Sequence, residues 1–385
     1  MEDWQQGGFG LYFHWPFCQA KCPYCDFNSH VAATIDQSAW ERAYLSEIDR
    51  VAALTGGRIV NTVFFGGGTP SLMEPELVDA ILGRVRDRFR LSNNVEITLE
   101  ANPTSVEAGR FQGYRDAGVN RVSMGIQSLQ DEDLKRLGRL HSVAEARKAF
   151  DIARSTFDRV SFDLIYARQG QSPDAWRAEL REALSMAIDH LSLYQLTIEE
   201  GTAFGDRYER GTLRNLPTDD SAADMYFVTQ EECEAAGMPA YEISNHARPG
   251  AESRHNLIYW NYGDYAGIGP GAHARLTLNG QKFAIDTPLA PTAWLKSVES
   301  KGHGENERTA LSGYDQATEY LMMGLRITEG IDLARISALL GREFEIESAY
   351  LEDDGFIQIE NGRLSVTPKG RPLLNAIIRE LIPED

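Results

Sequence analysis

The stretch YFHWPFCQAKCPYCDFNSH, residues 12–30, places Cys18, Cys22 and Cys25 within eight positions and has no fourth cysteine nearby. Thiolates are soft donors suited to zinc or iron–sulfur clusters, and all-cysteine sites usually close at four ligands. The spacing C-x3-C-x2-C matches neither the C-x2-C-x2-C run of bacterial ferredoxins nor a pair of C-x2-C zinc knuckles. His14 stands four residues before Cys18 and offers a Cys3His zinc alternative, but it lies inside a strand-like run and would have to turn back to reach the loop. The remaining cysteine, Cys233, falls in the helical stretch MYFVTQEECEAAG and reads as a small packed side chain. The loop therefore offers three ligands and a vacancy.

Outward from this loop, short apolar runs alternate with amphipathic stretches. GLYFHW, VNTVFFG, VEITLEA, RVSMGIQ, RVSFDLIYA, HLSLYQLTI and AYEISNH read as strands. SAWERAYLSEIDRVAAL, PELVDAILGRVRDRF and SPDAWRAELREALSMAI between them have the spacing of helices. The rhythm predicts an α/β fold, a partly open parallel (β/α) barrel over residues 1–245. In three strands the apolar set leaves a polar residue on the opposite face. Val95, Ile97 and Leu99 leave Glu100; Val122, Met124 and Ile126 leave Gln127; Val160, Phe162 and Leu164 leave Asp163. All three lie towards the carboxyl ends of their strands, where such folds build their sites. Three in register point to a binding cavity.

After residue 250 the rhythm stops. SRHNLIYWNYGDYAGIGPGAHARL is rich in aromatics and glycine, and residues 246–305 read as an ordered connector. Residues 306–385 read as a small winged-helix-like α+β domain. It comprises the helical runs SGYDQATEYLMMGLR, DLARISALL and EIESAYLEDDG, then a hairpin about Asn361-Gly362. Winged helices often bind DNA, but this segment has 8 Lys+Arg against 15 Asp+Glu, a balance of −7. Such a module is a poor phosphate binder and reads as a packing or protein-contact unit.

The whole chain of 385 residues has 38 Lys+Arg against 57 Asp+Glu, a formal charge of −19, which repels nucleic acid and anionic lipid. No apolar run approaches the ~20 residues of a bilayer span, and MEDWQQGGFG lacks the regions of a signal peptide. A cytoplasmic location with no transmembrane segment is the expectation.

The cysteine loop after a first strand, with Tyr24 just before the third cysteine, resembles the radical S-adenosylmethionine (SAM) superfamily. The resemblance implies a [4Fe–4S] cluster on Cys18, Cys22 and Cys25, with the fourth iron left to SAM. It extends to GGGTPS after the second strand, where Gly67, Gly68 and Thr69 match the superfamily's motif for the methionyl amino group. Tyr12, Tyr24, Glu100, Gln127, Arg139 and Asp163 match positions that contact SAM in the branch of oxygen-independent coproporphyrinogen III oxidases. Those oxidases carry C-x3-C-x2-C-x-C and a long segment before the first cysteine. Here Phe27 holds the position of that further cysteine. CPYCDFNSH and HNLIYW (His255, Asn256, Tyr259, Trp260) are instead similar to the HemW-type heme chaperones. That resemblance implies heme as cargo, handed to apo-hemoproteins such as respiratory membrane enzymes, without coproporphyrinogen turnover. The alternative is radical decarboxylation of coproporphyrinogen propionates. Imidazole is a common heme ligand and aromatic rings offer flat surface to a macrocycle, so His255 is the heme candidate, with His273 and His246 behind it. A homodimer is left open, and delivery to a membrane by so acidic a chain is expected to run through protein contacts.

Overall fold

The computed structural model describes residues 2–32, 34–346 and 348–383. The large sheet is formed by β1 (Phe9–Trp15), β2 (Ile59–Gly67), β3 (Arg90–Ala101), β4 (Arg121–Gln127), β5 (Arg159–Tyr166), β6 (His190–Gln195), β7 (Asn245–Ala247), β8 (Asp264–Ile268), β9 (His273–Leu278), β10 (Gln281–Asp286) and β11 (Thr309–Ala310). Their order is β11-β10-β9-β8-β1-β2-β3-β4-β5-β6-β7, so the sheet has two free ends and is not closed. From β8 through β1 to β6 all neighbours run parallel, while β7 and β9 to β11 are antiparallel additions at the two edges. This is a mixed α/β fold with a parallel-rich, open sheet.

The apolar faces that the sequence assigns are the covered ones. Ile97, Leu99, Val122, Met124, Ile126, Val160, Phe162 and Leu164 are all buried in one core, beneath helices such as Gln37–Thr55, Pro75–Arg88 and Val143–Thr156. Local chemistry fixes where these helices begin. The Asp36 side chain accepts from the Ala39 N–H, and Ser142 with Glu145 forms a capping box. Trp40 on the first helix stacks on Trp294 of the helix Pro291–Lys301, with ring centroids 5.5 Å apart.

Two segments differ from the sequence reading. AYEISNH does not continue the parallel series: after the Ala240 bridge the chain bends and enters only the short antiparallel β7. Glu242 explains the bend, because its buried carboxylate accepts from the N–H groups of Ile243 and Ser244 and from the Asn245 amide. The aromatic and glycine-rich stretch after residue 250 supplies β8 to β10, and β8 pairs directly with β1. Its glycines are what permit this. A Cβ on Gly267 would lie against the His273 carbonyl of the next strand, so the period-two signal is lost where strands come closest.

Near the C-terminus, the helices Gly313–Gly324, Leu333–Leu340 and Leu374–Leu381 and a three-stranded sheet (Ile331–Asp332, Arg363–Val366, Ile357–Glu360) enclose a second core. Asn361 and Gly362 have φ of 52° and 77°, the left-handed pair of a type I′ turn. The helix expected over EIESAYLEDDG is confined to Tyr350–Asp353, and Glu347 of that stretch lies outside the described residues. Arg335 anchors this module to the sheet domain, pairing with Asp3 at 2.7 Å and donating to the Asn261 carbonyl. Among the described residues no helix is long and apolar enough to cross a membrane.

Candidate functional site

The cysteine loop leaves β1 and is closed at its base. Phe17–Cys18 runs beside His30–Val31, and His30 N–H donates to the Pro16 carbonyl at 2.7 Å. The glycine turn after β2 grips the same base, with Gly68 N–H donating to Trp15 O at 2.7 Å and Thr69 N–H to Phe17 O at 2.8 Å. Gly67 has a φ of 109°, and a Cβ there would stand 2.7 Å from the His14 ring. The glycines thus bring two strand ends together as well as exposing backbone to a cavity.

That cavity, about 540 Å³, is lined by Cys18, Cys22, Cys25, Tyr24 and the turn Gly67–Thr69 on one side. Glu100, Gln127, Arg139 and Asp163 line the other. Three polar residues chosen from strand periodicity, and Arg139 chosen from the family resemblance, therefore meet the thiols in one place. Thr69 Oγ1 donates to Cys18 Sγ at 3.3 Å and Arg139 Nη1 to Cys22 Sγ at 3.5 Å. All three cysteines are free thiols. Burial pushes the Cys18 and Cys25 thiols up, as expected of soft ligands waiting for a cation to hold their charge.

Glu100 and Asp163 face one another across the strand ends. Burial and the neighbouring Asp163 push the Glu100 carboxyl up to about 8. Burial also lifts Asp163, to about 6, against the hydrogen bonds it accepts from Ser192 and Ser123. Burial and mutual repulsion disfavour the doubly ionised pair, and a cationic group entering the cavity would favour ionisation. Gln127 sits at a register shift in β4 with a φ of 72°, and its buried Oε1 has no donor among the described residues. Arg139 Nε is similarly buried without an acceptor. An unpaired acceptor and an unpaired donor beside the same cavity suit a zwitterionic ligand such as the amino-acid end of SAM. The residues present fit both groups: three soft donors for the cluster, and carboxyl, amide and guanidinium for the sulfonium nucleotide.

The zinc alternative fares worse. His14 is buried, with Nδ1 3.0 Å from Tyr12 Oη and Nε2 2.9 Å from the Asn28 carbonyl oxygen. It has no nitrogen to lend to Cys18. Among the described residues no three His, Cys, Asp or Glu side chains are grouped as a single ion requires.

Tyr12 is not in this cavity. It lines a second one, about 620 Å³, that shares Asp26, Phe27, Gly67 and Glu100 with the first. Tyr259, Trp260, Tyr262 and Tyr265 supply its aromatic wall. His255 lines neither cavity. It is 1% exposed, packed against the stacked rings of Tyr12 and Phe64, with Nδ1 2.7 Å from Thr62 Oγ1 and Nε2 2.7 Å from Tyr259 Oη. As placed, it has no nitrogen free for iron. His246 is also buried, at the sheet edge.

Sequence reasoning missed Asn102, whose amide donates to Thr69 Oγ1 at 3.2 Å and whose Oδ1 accepts from Arg139 at 2.5 Å. It stands two residues beyond Glu100, on the same face by period two, which was the available signal. It also missed Asn28, which donates to the carbonyls of Pro270 at 3.0 Å and Leu289 at 2.9 Å and ties the cysteine loop to distant segments. No local pattern announces such a contact.

Residues 12–183 match the model of the radical SAM superfamily, and residues 311–373 that of the HemN C-terminal domain. The chain is 38% identical to "Radical S-adenosyl methionine domain-containing protein 1, mitochondrial" of Bos taurus, over 97% of this chain and 87% of that one. It is 36% identical to "Heme chaperone HemW" of Escherichia coli (strain K12), over 97% and 98%, and 36% identical to the protein of that name in Mycobacterium tuberculosis, over 97% and 95%. The structure of Escherichia coli coproporphyrinogen III oxidase (HemN), described as a radical SAM enzyme, superposes with a TM-score of 0.80 at 22% identity, covering 97% of this chain and 90% of that one. This last likeness establishes the fold alone. With relatives matched along nearly the whole chain, the protein belongs to the radical SAM superfamily and, within it, to the HemW family.

Proposed function

We propose that the protein is a heme chaperone of the HemW kind, holding heme in the aromatic cavity and passing it to apo-hemoproteins. The observation that carries this reading is the second cavity itself, aromatic-walled and adjoining the cluster cavity through Asp26, Phe27, Gly67 and Glu100. Its volume, about 620 Å³, lies in the ordinary range for organic ligands. The name of the bacterial relatives supports heme as the ligand.

In the adjoining cavity, Cys18, Cys22 and Cys25 would hold three irons of a [4Fe–4S] cluster, and Gly67, Gly68, Thr69, Tyr24, Glu100, Gln127, Arg139 and Asp163 would seat SAM. When bound, that pair supplies one-electron reduction of a sulfonium. The chain's own part is to exclude water, to orient the ligand and to hold the buried carboxyls of Glu100 and Asp163 ready to ionise beside a cation. Tyr12, in the second cavity beside Glu100, contributes a hydroxyl that burial keeps protonated.

Phe27 stands where the decarboxylating oxidases have a further cysteine and is 60% exposed at the junction of both cavities. It offers a hydrophobic face to a macrocycle in place of a thiol. Delivery would run through protein contacts, since a chain of charge −19 is repelled by anionic lipid. A cytoplasmic location stays part of the proposal, while the names of the animal relatives say mitochondrial.

The test is a pair of assays on one anaerobic, cluster-loaded preparation. Hemin addition should give a saturable Soret band, and transfer to an apo-hemoprotein should follow. Supplied with reductant, SAM and coproporphyrinogen, the same preparation should form no protoporphyrinogen. Product without heme uptake would replace this reading with the decarboxylase one.

A further inference from the structure

Of the eight histidines, His273 is placed unlike the others. His14 and His255 use both ring nitrogens inside the protein, and His190 and His246 are buried at the far edge of the sheet. His273 opens β9, is exposed, lines the aromatic cavity, and its ring makes no hydrogen bond among the described residues. We propose that His273 supplies the axial imidazole to the iron of a heme, or a closely related iron tetrapyrrole, lying in this cavity. This rests on the heme-binding reading above and names the ligand within it.

Three further features support the assignment. The first is rigidity. His273 is paired across to Asp286 in a regular antiparallel ladder, and the preceding turn is locked. Gly271 in that turn has a φ of 74°, and a Cβ there would collide with the Asn28 amide. Asn28 in turn donates to the Pro270 carbonyl. The imidazole is therefore carried on backbone that is fixed before a ligand arrives, which lowers the cost of binding.

The second is the presence of donors for carboxylates. A heme brings two propionates, and a partly buried carboxylate needs partners. Trp260 lines this cavity, and its indole N–H is buried without an acceptor among the described residues. Arg275, two residues beyond His273 and on the same face of the strand, lines it as well, held in place by Glu319 at 2.7 Å. The third is Met323, also on the cavity wall, a thioether of the kind that can take a second axial position.

His255 would be a costly choice. Freeing either nitrogen leaves a buried hydroxyl of Thr62 or Tyr259 without its partner before any iron bond forms.

The test titrates hemin into the full-length, cluster-loaded protein under anaerobic conditions, with absorption and electron paramagnetic resonance of the ferric heme as readouts. The wild type should show a histidine-ligated ferric spectrum. In H273A the Soret band should shift, the ferric signal should change, and hemin should bind at least about tenfold more weakly. Added imidazole should restore the wild-type spectrum. The cluster absorbance of H273A should be unchanged, which separates ligand loss from misfolding. H255A removes a support of the cavity wall, so hemin affinity should fall in it, but the ferric heme should keep its histidine-ligated signature. An H273A spectrum identical to wild type, or a heme signal that is altered in H255A and not in H273A, overturns the assignment while leaving heme binding intact. A wild type that takes up no hemin at all overturns the functional reading itself.

Discussion

The two adjoining cavities are built in opposite ways. The cluster cavity draws its ligands from one loop, one glycine turn and the ends of parallel strands. Each of those is a local pattern of fixed spacing. Beyond the shared Gly67 and Glu100, the aromatic cavity is assembled from residues 12–28, the stretch 259–275, Leu289, and Glu319 and Met323 of the C-terminal module. Apart from HNLIYW, none of these pieces has a period or a motif that points at the others. Chemistry that must hold a reactive inorganic group needs several ligands at close quarters, so it is written compactly. On the proposed reading, a cavity that accepts and releases a flat cargo can be walled by whatever the fold brings near.

The largest effects should therefore fall on the compact site. Replacing Cys18, Cys22 or Cys25 with Ala removes a ligand with no substitute nearby, and should abolish the brown absorbance and the bound iron of an anaerobic preparation. If the contrast between the cavities is right, residual hemin uptake should survive better than cluster content in these variants. Equal loss of both would mean that the cavities form one site.

Next come the carboxyls. E100Q and D163N should weaken SAM binding by about 10- to 100-fold in an equilibrium assay and leave the cluster spectrum in place. Collapse of the cluster with SAM affinity unchanged would mean that the strand faces are misassigned.

Glu100 also makes a pH prediction with a definite sign. Its carboxyl is raised from the usual value near 4.5 to about 8 in the folded chain, so between those values the folded state holds the extra proton. Stability of the ligand-free protein should fall as pH rises through this window. E100Q removes that dependence. It should be more stable than wild type by about 1–3 kcal/mol at pH 8.5 and nearly equal at pH 5, by denaturant titration. A larger gain at pH 5 than at pH 8.5 would contradict the assignment.

Asn28 lines the aromatic cavity and ties the cysteine loop to Pro270 and Leu289, and N28A should lower hemin affinity by about three- to tenfold while cluster content changes less. The smallest effect belongs far from both. S142A removes the cap of the helix Val143–Thr156, costing about 1 kcal/mol of stability with hemin and SAM affinities unchanged.

The same contrast explains what could be read from the sequence. β1 to β6 were legible because one face of each packs on helices and the other faces the site, so polarity alternates. β8 and β9 were not, because Gly267, Gly269 and Gly271 press so closely on His273, His14 and Asn28 that no Cβ would fit, and they carry no side chain to alternate. AYEISNH kept the composition of a strand, but a single buried carboxylate, Glu242, turned its backbone groups inward. HNLIYW drew notice for its histidine. In the fold, Tyr259 and Trp260 face the cavity, and His255 is spent holding Thr62 and Tyr259 in place. Residue type alone could not distinguish a histidine that supports a wall, His255, from one that lines the cavity, His273.

The most direct measurement is a hemin titration of the cluster-loaded protein, followed by the Soret band and by iron analysis after gel filtration. Two separate cavities predict one heme per chain with all cluster iron retained. Absence of a Soret band, or heme that binds only as cluster iron is lost, would contradict the account.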